Sequence, residues 1–416
     1  MRPAADDPDP GSERAGRRRA RLVERAATRR LALHAAGHYT AVVGFRVAVA
    51  LAAVHAGLSP AAVGLVLAAF AIVPMLLSVH GGQLIDRVGV RVPMVRGTAL
   101  AAVGAAACAL VPGGPMLAAA SAIVGLGLMA FHLGMQHAMG ELGGDARRTA
   151  NFNLMTTCFS VSGLVGPTMV GATIDLAGHR AAFALTAALL AAVWLGLRRF
   201  PFERFLPAGP QQGPPPPPRP PIAALRSAFA LLGDARLRRL LAASLVASAI
   251  WDTFQFAMPI HGAASGLSAS TIGLAIAAFS SGSLSIRLAM PWLVHRLPAS
   301  RWLAIALVVG AGACAATPFA GPLAALLVVS FLVGFGPGIA QPLLLSALHG
   351  AAPAGRAGES AGLRMTLLSA LQLALPVAMG VVAGTLGSAA PFWLYSAVAV
   401  LVGAWLARSA RRDAPT

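Results

Sequence analysis

Twelve stretches of this chain run for roughly 18 to 25 residues with almost no charge, about the length of helix needed to cross a hydrocarbon layer. They cover residues 31–55, 60–80, 92–111, 115–138, 150–174, 180–198, 239–261, 271–291, 301–319, 322–345, 362–386 and 390–407. Such runs leave few options, because in lipid every backbone N–H and C=O must be paired within the protein, and only helices or closed barrels achieve that. The runs are continuous and rich in Ala and Leu, whereas barrel strands would be short and alternate polar with apolar. The expectation is an all-α membrane protein of twelve transmembrane helices. Composition agrees: 57% hydrophobic residues, 11% charged and a mean hydropathy of +0.73 lie far from soluble enzymes.

Orientation follows from arginine. The chain has no Lys, and 29 of its 32 Arg residues fall on the tails or on loops and flanks joining an even-numbered segment to the next odd one. Arg180 alone lies on the opposite side. Positive loops stay in the cytoplasm, so both termini are expected there and the number of crossings must be even. The net charge of +18 is therefore mostly topological. The basic tail stretch RRRARLVERAATRR reads as an inside-retention signal, and no nucleic-acid partner is expected. The first apolar run is too long, and follows too long a charged tail, for a cleavable signal peptide. Cys108, Cys158 and Cys314 lie in separate apolar runs without metal-ligand spacing, so they read as buried hydrophobes; no metal or cofactor is implied. The expected setting is a bacterial inner membrane, with the protein a monomer surrounded by the lipid bilayer.

A shift of 209 residues lays the chain over itself. GLSPAAVGL at 57 recurs as GLSASTIGL at 266, Phe70 meets Phe279, Arg87 meets Arg296, Gly125 and Gly127 meet Gly334 and Gly336, and Pro167 and Gly171 meet Pro376 and Gly380. Six segments repeated in the same orientation imply two bundles related by an axis along the membrane normal, facing each other across a cavity. The organisation expected is a basic N-tail (1–30), a six-helix bundle (31–198), a cytoplasmic linker (199–238), a second six-helix bundle (239–407) and a C-tail (408–416). Within the linker, GPPPPPRPP reads as an extended polyproline spacer and residues 222–241 as an amphipathic stretch at the membrane surface.

Polar side chains inside spans must face protein or water, so they mark the helices that line an interior. Arg46 in the first segment and Asp252 in the seventh stand near mid-membrane, each costing about 2.5–3.5 kcal/mol to insert. The 209 shift aligns Arg46 with Gln255, which places Asp252 within reach of Arg46 from the opposite bundle. Gln255 and Trp251 extend the same surface. His38, His132, Gln136 and Gln341 are further polar groups in the spans, and the histidines titrate near neutrality, giving a proton a second route besides Asp252. Each histidine also fits a helix-packing role. Arg287 can snorkel to the inner interface or hold an anion.

Between the second and third segments stands GGQLIDRVGVRVPMV, in which Gly82, Leu84, Asp86, Arg87, Gly89 and Arg91 resemble the loop signature of the major facilitator superfamily. Glycines permit the tight turn, and Asp86 at a helix end can pair with arginines to latch the cytoplasmic side. The second half carries a decayed copy, PWLVHRLPASR, with His295 in the Asp86 position. SGLVGPTMVGA in the fifth segment is similar to the family's antiporter motif at Gly166, Pro167 and Gly171, with Val170 where glycine is usual. Ser121 stands where drug–proton antiporters of the family carry Arg.

The resemblance implies a secondary transporter moving a small organic solute by alternating access, with protons as the coupling ion and export of an amphipathic compound as the direction. An organic-anion carrier, favoured by the excess of arginine over acid in the spans, is the alternative. A non-transporting receptor on the same scaffold is a reading from another class. An enzyme is not expected, since HExxH and paired intramembrane carboxylates are missing from the sequence.

Overall fold

The computed structural model describes residues 10–111, 113–142, 145–206, 229–293, 296–297, 299–351 and 357–412. The polyproline part of the linker lies outside them. The α-helices of the described residues, in chain order, are α1 Pro10–His55, α2 Pro60–Val88, α3 Arg91–Leu110, α4 Gly114–Glu141, α5 Asp145–Arg198, the short α6 Phe202–Phe205, α7 Ala235–Ala264, α8 Ala269–Leu293, α9 Ala299–Ala316, α10 Leu323–Ala351, α11 Ala357–Leu386 and α12 Ala390–Arg412. Among the described residues none is in a strand. Among the described residues ten helices are long and apolar enough to cross a membrane, and Ala390–Trp405 is a shorter apolar one. The chain is a multi-pass integral membrane protein.

Two boundaries differ from the sequence expectation. The fifth and sixth segments form one assigned helix, α5, because the chain stays helical on both sides of Gly178 and reverses there alone (φ 81°, ψ 173°). Only glycine adopts such a φ cheaply, and no polar loop is needed. At the other end, α1 starts inside the basic tail, whose Ala and Arg are good helix formers.

The best-matched stretch of the repeat is a helix punctuation mark. Gly57 and its mate Gly266 both take φ 73°. The serines that follow cap the next helices, with Ser59 accepting from the backbone N–H of Ala62 and Ser268 from that of Thr271. Gly178 and Gly387, again 209 apart, are the other such pair.

Packing obeys the same symmetry. Within each half, Gly125 packs on the Phe70 backbone of the neighbouring helix, and Gly334 packs on that of Phe279. Between halves, α2 lies along α11 and α5 along α8, while α1 meets α7 at the centre. Gly64 abuts the Pro376 carbonyl and Gly273 that of Pro167; Gly380 abuts Pro60 and Gly171 abuts Ala269. Replacing each residue by its mate 209 positions away in the other half turns one contact into the other, as a two-fold axis between the bundles requires. All four contacts lie toward the face opposite the termini, hereafter the far face. There Asp175 also reaches across, accepting the backbone N–H groups of Ala269 (3.0 Å) and Ser270 (2.7 Å) at the start of α8. Toward the face bearing the termini, Asn153, Thr156 and Thr157 of α5 and Met365 and Gln372 of α11 stand exposed. The halves are closed on the far side, and a cleft opens toward the termini.

Candidate functional site

At the apex of the cleft, Arg46 of α1 and Asp252 of α7 meet across the two halves, Nη2 to Oδ1 3.6 Å apart. The Asp252 side chain is 7% exposed and that of Arg46 26%, so the acid is enclosed while the base keeps access to the cleft. Arg46 also lies over the Phe70 ring, at 5.6 Å. A cavity of about 10 Å³, room for one water, is lined by Arg46, Leu67, Asp252, Gln255 and Pro376, so four helices, α1, α2, α7 and α11, converge on the pair. Burying two charges costs desolvation that their attraction offsets only when both are present; removing one typically costs about 3–5 kcal/mol. The arrangement therefore ties the halves together for as long as both groups are charged.

An aromatic wall flanks the pair on the cleft side. Trp251 is half-buried, tilted against Phe159 of α5 (ring centroids 6.0 Å apart) and edge-on to Phe279 of α8 (5.0 Å). Phe159 in turn lies edge-on to Tyr39 (5.4 Å). The Tyr39 hydroxyl is 2.8 Å from Nδ1 of His132, whose Nε2 is 2.8 Å from the Gln136 amide nitrogen. An amide N–H donating to Nε2 leaves Nδ1–H to donate to the Tyr39 oxygen, so this set is satisfied with a neutral imidazole. Gln255 thus lines the cavity beside the central pair directly, while His132 and Gln136 connect through Tyr39 and Phe159 to Trp251, the chain neighbour of Asp252.

His38 is placed elsewhere. It is fully buried inside the first bundle, stacked on Phe131 at 3.8 Å, with Nδ1 3.2 Å from the Thr98 hydroxyl. Gln341 of α10 lies nearer the terminus-bearing face, with Oε1 3.5 Å from Nη2 of Arg287. Of the loop signature, the side chains of Gly82, Leu84, Asp86 and Arg87 lie outside the described residues. Gly89 ends α2 at φ 72°, and the exposed Arg91 pairs with Glu203 of α6. That carboxyl is held below its ordinary range by its own backbone N–H and by Arg91. Gly166 of the antiporter-like motif lets α5 touch the Thr40 and Gly44 backbone of α1, and Pro167 and Gly171 form the far-side contacts with α8.

Sequence reasoning missed Tyr39, Phe159 and Arg364. Tyr39 was findable: it is one of two tyrosines and lies seven residues before Arg46, about 20° away around the helix. Phe159 carried no such signal, because a phenylalanine in an apolar run looks the same whether it lines a cleft or fills a core.

Two helical bundles closed on one side, open on the other and joined by a buried charge pair are the architecture of a membrane transporter. The chain belongs to the Major Facilitator Superfamily, whose family pattern matches residues 31–376. Among solved structures it is similar to a bacterial homologue of the human lysosomal transporter Spinster in an inward-facing, unoccupied conformation (TM-score 0.73, 15% identity, 93% of this chain and 97% of that one). It is also similar to the nucleoside transporter NupG (0.73, 14%, 92% and 98%) and to a mutant of the peptide transporter POT (0.73, 18%, 92% and 94%). At these identities the likeness is one of fold. No curated protein matches the chain.

Proposed function

We propose that the protein is a proton-coupled secondary transporter that exports a small amphipathic compound by alternating access, with Asp252 as the proton carrier. Arginine distribution makes the terminus-bearing face cytoplasmic, so the cleft opens inward and the far face is the outer gate. The observation that carries the reading is the enclosed Asp252, bound across the halves to Arg46 at the apex of the cleft. A proton placed on the carboxylate removes its charge and with it the attraction that ties α1 to α7; Arg46 is then free to take another acceptor. Trp251 and Phe159 supply an apolar, polarisable wall for the solute beside that switch, and Gln255 a hydrogen-bonding group. His132 is a second titratable group, reached through Tyr39.

The test uses vesicles containing the purified protein and a ligand found by thermal stabilisation against a panel of amphipathic compounds. Asp252→Asn is expected to keep exchange of ligand between the two sides but to lose accumulation driven by a pH gradient. Unchanged gradient-driven accumulation in that variant would exclude Asp252 as the carrier.

A further inference from the structure

The inner half of the second bundle holds two guanidinium groups whose partners among the described residues are all neutral. Arg364 of α11 donates from Nε to the Ser244 hydroxyl of α7 at 2.7 Å. Arg287 of α8 donates at the limit of hydrogen-bond length to Gln341 of α10, and its Nε is buried with no partner among the described residues. The Ser248 hydroxyl, one turn from Ser244, is buried and likewise unpartnered there. Ser244, Ser248, Arg287 and Gln341 share a level of the bundle, because their chain neighbours Ala243, Ala247, Ile286, Ile339 and Ala340 form a single buried cluster, and Arg364 joins that level through its bond to Ser244.

They also share the cleft. Ser244, Ser248, Trp251 and Gln255 fall at i, i+4, i+7 and i+11, one stripe of α7, and Trp251 of that stripe touches Phe159 of the other half. Arg287 lies seven residues beyond Ser280, hence about 20° around α8, and the Ser280 hydroxyl faces Gly163 of α5. Two turns nearer the termini, where α5 has drawn away, the same face of α8 borders the opening.

An arginine cannot shed its proton to escape a poorly solvated site, so the charge must find an anion. Asp252 is engaged by Arg46. Among the described residues no carboxylate lies within ion-pair distance of Arg287 or Arg364. The 209 shift sharpens the point: Ser78 and Met155 occupy the matching positions in the first half, so neither arginine belongs to the scaffold that the halves share.

We propose that Arg287 and Arg364, with the Gln341 amide N–H and the Ser248 hydroxyl, form a cationic, donor-rich site for the oxyanion of the transported compound, a carboxylate, sulfate or phosphate ester. This rests on the transport reading and deepens it: the solute is an amphipathic anion, its apolar part against Trp251 and Phe159 and its acid about two turns closer to the cytoplasmic mouth.

The experiment is equilibrium titration of the full chain in neutral phosphatidylcholine nanodiscs with inorganic sulfate, benzoate and benzamide at constant ionic strength. Sulfate and benzoate are expected to bind and benzamide, the uncharged isostere, to bind at least about tenfold more weakly. Arg287→Gln and Arg364→Gln should each weaken benzoate at least about tenfold, Ser248→Ala less, and the exposed Arg96→Gln not at all. Arg287→Lys, which keeps the charge, guards against loss through misfolding and should retain part of the affinity. Equal binding of benzamide, or variants indistinguishable from the parent, overturns the site. Loss of benzoate binding on adding phosphatidylglycerol overturns the substrate assignment, since a lipid headgroup is then the occupant. Asp252→Asn should still bind benzoate, so failure of the anion site leaves the proton-carrier test standing, and the reverse.

Discussion

The closed far side and the open cleft join the same two bundles and follow opposite rules. On the far side each close glycine contact has its repeat mate: Gly64 on Pro376 with Gly273 on Pro167, and Gly380 on Pro60 with Gly171 on Ala269. In the cleft the repeat is broken at each charge. Arg46 stands opposite Gln255 in the alignment of the halves, and Asp252 opposite Val43, Arg287 opposite Ser78 and Arg364 opposite Met155. The scaffold shared by both halves is a device for closing one side, built from backbone contact that needs no side chain. The charged residues that the halves do not share stand in the cleft, where the proposed reading has them act on the solute.

The sharpest way to break this comparison is to fill the shared contacts. A Cβ at Gly64 or Gly273 meets a proline carbonyl of the opposite half, and two packed helix backbones yield little. Overpacking costs roughly 1–3 kcal/mol per site, so Gly64→Val with Gly273→Val should lower the far-side-closed population by about two orders of magnitude. The readout is labelling of a cysteine placed at Ser270 by a membrane-impermeant maleimide from the outer side. The native cysteines are all buried. An unchanged labelling rate would mean that closure is held elsewhere.

How much of this could be read from the sequence divides along the same line. Run lengths and the 209-residue offset were enough for the twelve crossings and the paired bundles, because hydrophobic length and helix-end glycines are local properties. Arg46 and Asp252 stood out because a charge in an apolar run is costly and cannot hide. Arg364 was assigned to a loop flank, since nothing in the sequence says that α11 begins at Ala357, about two turns earlier. The turn between the fifth and sixth segments needed only Gly178, where the eye looks for a polar loop. Contacts across the cleft, such as Phe159 with Trp251, depend on how two separate bundles dock, and no local pattern encodes that.

A smaller effect is expected where a side chain supplements the shared closure. Asp175 caps α8 from the opposite half and has no counterpart in α11, where Gly384 occupies the matching position. Exposed carboxylates at helix N-termini contribute about 0.3–1 kcal/mol, so Asp175→Asn should shift the closed far side by about two- to fivefold, read by the same labelling. A shift as large as that of the glycine pair would make the carboxylate, and not backbone contact, the principal closure.

The smallest effect belongs to Arg91 and Glu203, an exposed pair that ties the loop after α2 to α6 without touching the cleft. Because the Glu203 carboxyl is held below its ordinary value of 4.5, its contribution is fully present above that value and is lost as pH falls through the lowered one. Near neutral pH, Glu203→Gln should lower the thermal midpoint slightly, near the limit of measurement for an exposed pair, and in acid the variant and parent should converge. Ligand binding and far-side labelling should stay as they are. A change in either would show that this link reports to the cleft, and that the terminus-bearing face carries a latch of its own beyond the one formed by Arg46 and Asp252.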